Sequence, residues 1–285
     1  MKKISVVIPC FNEEDFIFRC VNSVLEQTLM PDEILVVDDG STDDSMELIA
    51  NLPVTIIRMG KNSGRIAAVN RGYLESKGDL IATIDSDCEA SPTWLEELVN
   101  GLPEHCAASG GKTLELNENL LTGRWRARHM QLHWGDKPVE NPKVIYGPNN
   151  VFRKNDLLDA GLADETKVAQ DYKIGASDWE LTQRFYAAGY KLYYNPRAIV
   201  YQLRSYTPAG VIRQYWRWSV FYYPEPVNWP VFLLKMGINF LKAGKHALED
   251  VLRAELRLVP ISLRIFPSHT YYDFQHLRRA LKRSG

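Results

Sequence analysis

Short, wholly apolar runs alternate with segments of helical spacing through the first third of the chain. Ile4 to Ile8 is a β-branched run. From Glu13 to Gln27 the apolar positions Phe16, Ile17, Cys20, Val21, Val24 and Leu25 recur three and four apart, the spacing of one helix face. Ile34 to Val37 predicts a second strand and Thr42 to Ala50 a helix capped by Ser41 or Thr42. Val54 to Arg58 predicts a third strand, Arg65 to Ser76 a helix, and Leu80 to Ile84 a fourth strand. Strands apolar on both sides and separated by helices imply an α/β fold, a mostly parallel central sheet flanked by helices. Right-handed crossovers then bring the loops after each strand to one edge, where such sheets bind ligands.

Beyond Asp87 the alternation fades. Helices are predicted over Pro92 to Asn100, Leu120 to Trp134, Ser177 to Ala188 and Val211 to Tyr222. After Pro224 the chain becomes amphipathic and basic, broken at Pro260 and Pro267. Trp229, Phe232, Leu233, Met236, Phe240 and Leu241 keep helical spacing there, with Lys235, Lys242 and Lys245 among them. The expected organisation is a domain over residues 1–225 and a basic helical extension over residues 226–285. Within the domain, residues 1–88 carry the regular alternation and residues 89–225 the part where it fades. At 285 residues and 45% hydrophobic the chain can bury a large core. The formal charge of −1 gives no general basic excess, so nucleic acid is not an expected partner. The charge is divided, though: +6 from Trp229 onward and −7 before it, which suits an anionic surface for the tail. Such a segment can lie in the interface of an anionic membrane, or pack as a helix pair with solvated basic faces. Four cysteines without paired spacing imply a reduced, cytoplasmic protein. No run of about 18 apolar residues spans a bilayer, so the expectation is a soluble protein or one peripheral at the inner face of the membrane.

The strongest chemical signal is Asp85-Ser86-Asp87 at the end of the strand Leu80 to Ile84. Two carboxylates one residue apart can converge on a hard cation, which neutralises a leaving diphosphate; taken alone, such a pair is more often just solvated. Asp38-Asp39-Gly40-Ser41 ends the second strand on the same edge, where a carboxylate can accept a base's ring N–H. The same residues also make an ordinary turn and helix cap. Asn62-Ser63-Gly64-Arg65 follows the third strand, and its backbone amides open a helix, a natural place for phosphate or simply a helix-start loop. The first strand runs into Pro9-Cys10-Phe11-Asn12-Glu13-Glu14 rather than GxGxxG, which argues against a dinucleotide site. His129 and His133 lie four apart without a HExxH frame and are expected to be solvated or to face an acceptor rather than bind zinc. Cys88 is expected to pack.

In order and spacing, Ser5 to Pro9 with Asn12-Glu13-Glu14, Val36 to Asp43, Asn62 to Gly64 with Asn70-Arg71-Gly72, and Gly78-Asp79 before Asp85-Ser86-Asp87 resemble family 2 glycosyltransferases. The resemblance runs from residue 4 to about 222. It implies a GT-A fold, Mg or Mn, and inverting transfer of a sugar from a nucleotide diphosphate, with uracil the expected base, to a glycan or lipid-linked acceptor of polysaccharide or cell-envelope synthesis. By position it puts Pro9, Glu14, Asp38 and Asp39 at the nucleoside, with Asn62 and Gly64 beside them. It puts Asp85 at the donor sugar or ribose, Asp87 on the metal and Asp178 as the base that takes the acceptor's proton. The family carries an acidic pair where this chain has Ser177-Asp178, so the role falls on Asp178, with Glu180 as a fallback, although Ser-Asp at a helix start is ordinarily a cap. Gly147 to Arg153 resembles the acceptor-side loop. Gln214-Tyr215-Trp216-Arg217-Trp218 resembles the QxxRW motif of membrane-bound processive polysaccharide synthases, which would set Arg217 at the diphosphate and Trp218 at the acceptor. Gln202 stands where many relatives have His, which weakens the expected metal shell. The alternatives are a non-catalytic sugar-nucleotide or glycan-binding protein and a nucleotidyltransferase.

Overall fold

The first seven elements follow the apolar runs: β1 (Ile4–Cys10), α1 (Ile17–Leu25), β2 (Glu33–Asp38), α2 (Ser45–Leu48), β3 (Thr55–Arg58), α3 (Arg65–Glu75) and β4 (Leu80–Ile84). Then come β5 (Cys88–Ala90), α4 (Trp94–Asn100), β6 (Cys106–Glu115), α5 (Leu121–His129), β7 (Val139–Glu140), β8 (Asn149–Arg153), α6 (Lys154–Ala160), α7 (Ser177–Ala187) and β9 (Lys191–Gln202). The chain ends in α8 (Pro208–Val220), α9 (Trp229–Leu252), α10 (Val259–Leu263) and α11 (Ile265–Ser284). The structure is a computed structural model that describes residues 2–165, 177–220 and 227–284.

By packing, the chain divides into two units, residues 1–116 with 132–204 and residues 117–131 with 205–285. The first holds the sheet, in the order β3-β2-β1-β4-β8-β6-β9-β5, with β7 on β9. β1 pairs parallel with β2 and β4, and β2 with β3. Past β4 the sheet becomes mixed: β8 runs antiparallel to β4 and β6, while β9 runs parallel to β6. Alternate residues of one strand enter different cores, as a pleat requires. Val6 and Ile8 pack with α1 and α4 around Trp94, whereas Val7 packs with α3 around Tyr73 and Phe152. Gly72 lets α3 lie directly on β1, since a Cβ there would stand 2.4 Å from Val7 Cγ1.

Three elements are shorter than their periodicity predicts. α1 starts at Ile17 and α2 at Ser45, because Asn12, Glu14, Ser41, Thr42 and Asp43 bond one loop to the other instead of extending helices. The cap predicted at Ser41 or Thr42 is therefore absent. α5 ends at His129 rather than Trp134, so His133 lies off the helix, where its Nδ1 accepts from the Gly135 amide at 3.0 Å.

The second unit is helical. Its boundary by packing, 204/205, precedes the expected one at residue 225, which lies outside the described residues, as does the predicted helix end at Tyr222. α5 belongs to this unit because Trp125 is buried with Val211, Ile212, Leu258 and Ile265, and its indole N–H donates to Ser262 Oγ at 2.8 Å. α9 starts sharply where Asn228 Oδ1 accepts from the Val231 amide at 3.1 Å, with Pro230 in the first turn. Its inner side is polar: Asn239, His246 and Asp250 are buried with Ala243 and Ala247. Asp273 accepts from Asn239 Nδ2 at 2.7 Å, and Asp250 Oδ2 accepts from Ser262 Oγ at 2.6 Å. The leucines face outward; Leu241 is 70% exposed and Leu252 75%. No helix among the described residues is long and apolar enough to cross a membrane.

Candidate active site

The parallel registers Cys10↔Asp38 and Asp38↔Arg58 align the ends of β1, β2 and β3, so their loops share one rim with the loop after β4. Pro9 is buried near the end of β1, opposite Val37. Asn12, in the left-handed region at φ 54°, accepts from the Thr42 amide at 2.8 Å and donates its own N–H to Ser41 Oγ at 3.1 Å. Glu14 is exposed, and its Oε2 accepts from the Asp44 amide at 3.1 Å. Asp38 Oδ1 closes the turn by accepting from the Ser41 amide at 2.8 Å. Gly40 (φ 80°) must be glycine: a Cβ would meet the Lys61 carbonyl carbon at 2.8 Å.

Asp39 is buried, and its two oxygens accept from the amides of Ser63 at 2.7 Å and Gly64 at 2.8 Å. Two of the amides expected to receive phosphate are thus donated to Asp39, because Gly64 (φ 99°) turns the loop toward β2. Each carboxylate oxygen keeps a further lone pair for a ligand. Asn62 sits half-buried in the same loop.

One residue later the cationic side of the site begins. Arg65 opens α3 and donates to Asp85 Oδ1 through Nε (3.0 Å) and Nη2 (2.6 Å). Its Nη1 lies 4.0 Å from Asp178 Oδ1. Asp178 Oδ2 accepts from the Gly147 amide at 2.8 Å, which holds the first turn of α7 against the loop before β8. Gly147 has to lack a side chain, since a Cβ would stand 2.6 Å from Asp178 Oδ1 and 2.8 Å from Arg65 Nη2. Burial pushes the Asp85 carboxyl up, and Arg65 opposes the shift. A narrow cleft beside these groups is lined by Arg65, Asp178, Tyr73 and Asn150, and Asn150 Oδ1 is buried there without a hydrogen-bond donor among the described residues. Glu180, the fallback base, is buried and paired with Arg184 in its own helix.

A second guanidinium stands beside Asp87. Arg204 Nε lies 3.1 Å from Asp87 Oδ2, its Nη2 pairs with Glu13, and its guanidinium carbon lies 4.8 Å from the centre of the Phe16 ring. Burial and the Asp87 charge push Glu13 up to about 7 despite Arg204. Gln202 is buried below: its Nε2 donates to the Asp87 carbonyl at 3.3 Å and its Oε1 accepts from Cys88 Sγ at 3.8 Å. It therefore fastens β9 under the carboxylate instead of completing a cation's shell. Cys88 is fully buried, as expected.

The Asp87 and Asp85 charges push Glu13 up and the Asp87 charge pushes Asp85 up, so the cluster favours added positive charge, and its oxygen donors suit Mg or Mn. The clustered carboxylates fit a divalent cation, which would compete with Arg204 for Asp87 and Glu13. Sequence reasoning does not single out Glu13 or Arg204 for this cluster. Some signal exists: Glu13 adjoins Glu14, and Arg204 is two residues past Gln202. Arg217 and Trp218 lie on α8 in the second unit, where Arg217 Nη1 donates to Gln214 Oε1 at 3.4 Å.

The profile of "Glycosyl transferase family 2" matches residues 5–159. The poly-beta-1,6-N-acetyl-D-glucosamine synthase of Staphylococcus aureus (strain MSSA476) is 24% identical over 230 residues, 77% of this chain and 54% of that protein. Glycosyltransferase AglE of Haloferax volcanii is 28% identical over 207 residues, 66% of this chain and 63% of that protein. The chain thus spans about half the length of the S. aureus synthase. Among solved structures, the mannosyltransferase PcManGT from Pyrobaculum calidifontis, in complex with GDP-Man and Mn2+, superposes with a TM-score of 0.56 at 16% identity, over 100% of this chain and 76% of that one. S. aureus TarS 1-349, in complex with UDP-GlcNAc, gives 0.55 at 20%, over 77% of this chain and 66% of that one. The fold is that of GT-A glycosyltransferases.

Proposed function

The chain belongs to glycosyl transferase family 2, and on that premise we propose that it moves a sugar, with inversion, from a nucleotide diphosphate onto a glycan or lipid-linked acceptor in a metal-dependent reaction. The observation that carries this reading is the unbroken run of contacts from Asp39 through Gly64 and Arg65 to Asp85 and Asp178. Nucleoside, donor-sugar and acceptor functions then fall along one rim.

In this mechanism Pro9, Glu14, Asp38 and Asp39 border the nucleoside, and Asp39 accepts a ring N–H of the base on a lone pair the loop leaves free. Asp87, with Glu13 beside it, would hold Mg or Mn. When bound, that ion neutralises charge on the departing diphosphate. Asp85, fixed by Arg65, orients the donor's ribose or sugar. Asp178 takes the acceptor hydroxyl's proton while the oxygen bonds to the anomeric carbon. The bond from that carbon to the phosphate oxygen breaks in the same displacement, and the nucleotide diphosphate leaves with the electron pair. On the helical unit, the Arg217 guanidinium is of a kind that suits phosphate and the Trp218 indole of a kind that suits a sugar face.

UDP-GlcNAc in the TarS complex supports a UDP-sugar donor. GDP-Man and Mn2+ in the mannosyltransferase complex support manganese and keep a guanine donor in the test. The outward leucines of α9, followed just past its end by exposed Arg253, Leu256 and Arg257, support peripheral contact with an anionic membrane, where a lipid-linked acceptor would lie.

A thermal-shift panel of nucleotide sugars with and without Mn tests the proposal. A diphosphate donor plus Mn is expected to stabilise the protein by about 3 kcal/mol at a hundredfold excess over Kd. Asp87→Ala should abolish the metal-dependent stabilisation. Absence of a shift with every donor, together with no release of nucleotide diphosphate, would sink it.

A further inference from the structure

In the helical unit, α5 and α9 bring together three groups that the transferase chemistry does not use. His129 Nδ1 lies 3.6 Å and His246 Nδ1 3.2 Å from Glu249 Oε2, and the two imidazole centroids are 4.3 Å apart. The three ligand atoms all fall within 4.8 Å of one another. His129's side chain is 1% exposed and that of Glu249 37%, so the trio has a closed back and an open rim.

The remaining ring nitrogens are already engaged. His129 Nε2 lies 2.8 Å from Asp250 Oδ1, and Asp250 is fully buried and also held by Ser262. Ser262 and Arg128 Nη1, the latter 3.5 Å from Oδ1, both donate to Asp250, which therefore acts as an acceptor; the proton of His129 then sits on Nε2 and its Nδ1 presents a lone pair. That lone pair faces the Glu249 carboxylate, acceptor against acceptor, beyond hydrogen-bond range. His246 Nε2 meets the Tyr215 hydroxyl at 2.9 Å, a partner that accepts or donates according to the tautomer, and its Nδ1 hydrogen-bonds Glu249 Oε2 at 3.2 Å through a proton that a metal on Nδ1 would displace. A carboxylate on the far nitrogen of a ligating histidine is the usual outer support of a protein metal site. Bonds of about 2.0–2.2 Å in a tetrahedron separate neighbouring ligand atoms by about 3.4 Å, which the measured 3.6 and 3.2 Å bracket. Two cations stand nearby: Lys245 Nζ lies 3.8 Å from the other oxygen, Glu249 Oε1, and Arg128 Nη1 3.5 Å from Asp250 Oδ1.

We propose that His129 Nδ1, His246 Nδ1 and Glu249 Oε2 form a zinc-class metal site that clamps α5 to α9, with the fourth position open to water at the rim. Two imidazoles and one carboxylate suit zinc or cobalt, whereas the all-oxygen cluster at Asp87 suits Mg or Mn. The two sites are separable in experiment.

The full chain, stripped with chelator and dialysed against Zn, is expected to retain about one equivalent by elemental analysis. Co in its place should give the intense visible d–d bands of a tetrahedral site. His246→Ala should reduce retention at least tenfold. Glu249→Gln, at the half-exposed rim, should do likewise without disturbing the core, and so decides the matter if His246→Ala does not fold. Asp87→Ala must leave Zn retention unchanged, which separates this site from the donor site. Cys106→Ser must also leave it unchanged, because His105, Cys106 and Glu140 form another group of potential ligands. The proposal is overturned if folded wild-type protein keeps less than about a tenth of an equivalent. It is equally overturned if retention survives Glu249→Gln or follows Cys106.

Discussion

Arg65 sits between two carboxylates proposed to do different work: it grips Asp85 through two nitrogens and approaches Asp178 with a third. A lysine offers one point charge and cannot make that fork. Arg65→Lys is therefore expected to lower kcat about a hundredfold, the scale of a misplaced reacting group, with the donor's KM changing less. Nucleotide diphosphate release measures both, and unchanged kinetics would take Arg65 out of the site. Glu13 gives a pH signature. With its pKa pushed up to about 7, deprotonation adds negative charge beside Asp87, so Mn-dependent donor binding should strengthen as pH rises through that value. Glu13→Gln should flatten the dependence in binding titrations at successive pH values. For stability the sign reverses. A carboxyl whose folded pKa is raised from 4.5 favours the fold below that value, and the benefit fades as pH rises through about 7.

At the scale of elements, the loop before β8 positions Asp178, the proposed base, through a glycine. Gly147→Ala would bring a methyl within 2.6 Å of Asp178 Oδ1 and drive the carboxylate from its place. Turnover is expected to fall at least tenfold with donor binding retained, and calorimetry beside steady-state kinetics separates the two effects. Gly72→Ala, where the methyl would strike Val7 instead, should cost about 1–3 kcal/mol of stability, as overpacking does. The rim is legible in the sequence because β1 to β4 are short apolar runs that end directly at Cys10, Asp38, Arg58 and Ile84. Arg204 is not, since only the pairing of β9 with β5, Gln202 opposite Cys88, carries it to Asp87. Nor is the orientation of α9. Helical spacing gives a period, but what covers each face is settled by distant residues such as Ser262 and Asp273. Spacing alone sets His129 beside His133, whereas the end of α5 parts them and burial gives His129 to Asp250.

At the scale of the whole molecule, the acidic rim belongs to the sheet unit and the apolar, arginine-bearing surface to the helical one. The full chain is expected to sediment with anionic vesicles at low salt and less so with neutral ones. Leu241→Ser with Leu252→Ser should weaken binding at any ionic strength. Arg253→Glu with Arg257→Glu should remove chiefly the salt-sensitive component. Protein that remains in the supernatant under all these conditions would refute membrane docking. The inverted α9, polar within and leucine-rich without, also makes the vessel matter. In plain buffer those exposed leucines are expected to meet one another on neighbouring copies, so apparent size should climb with concentration until a micelle or bilayer takes them up.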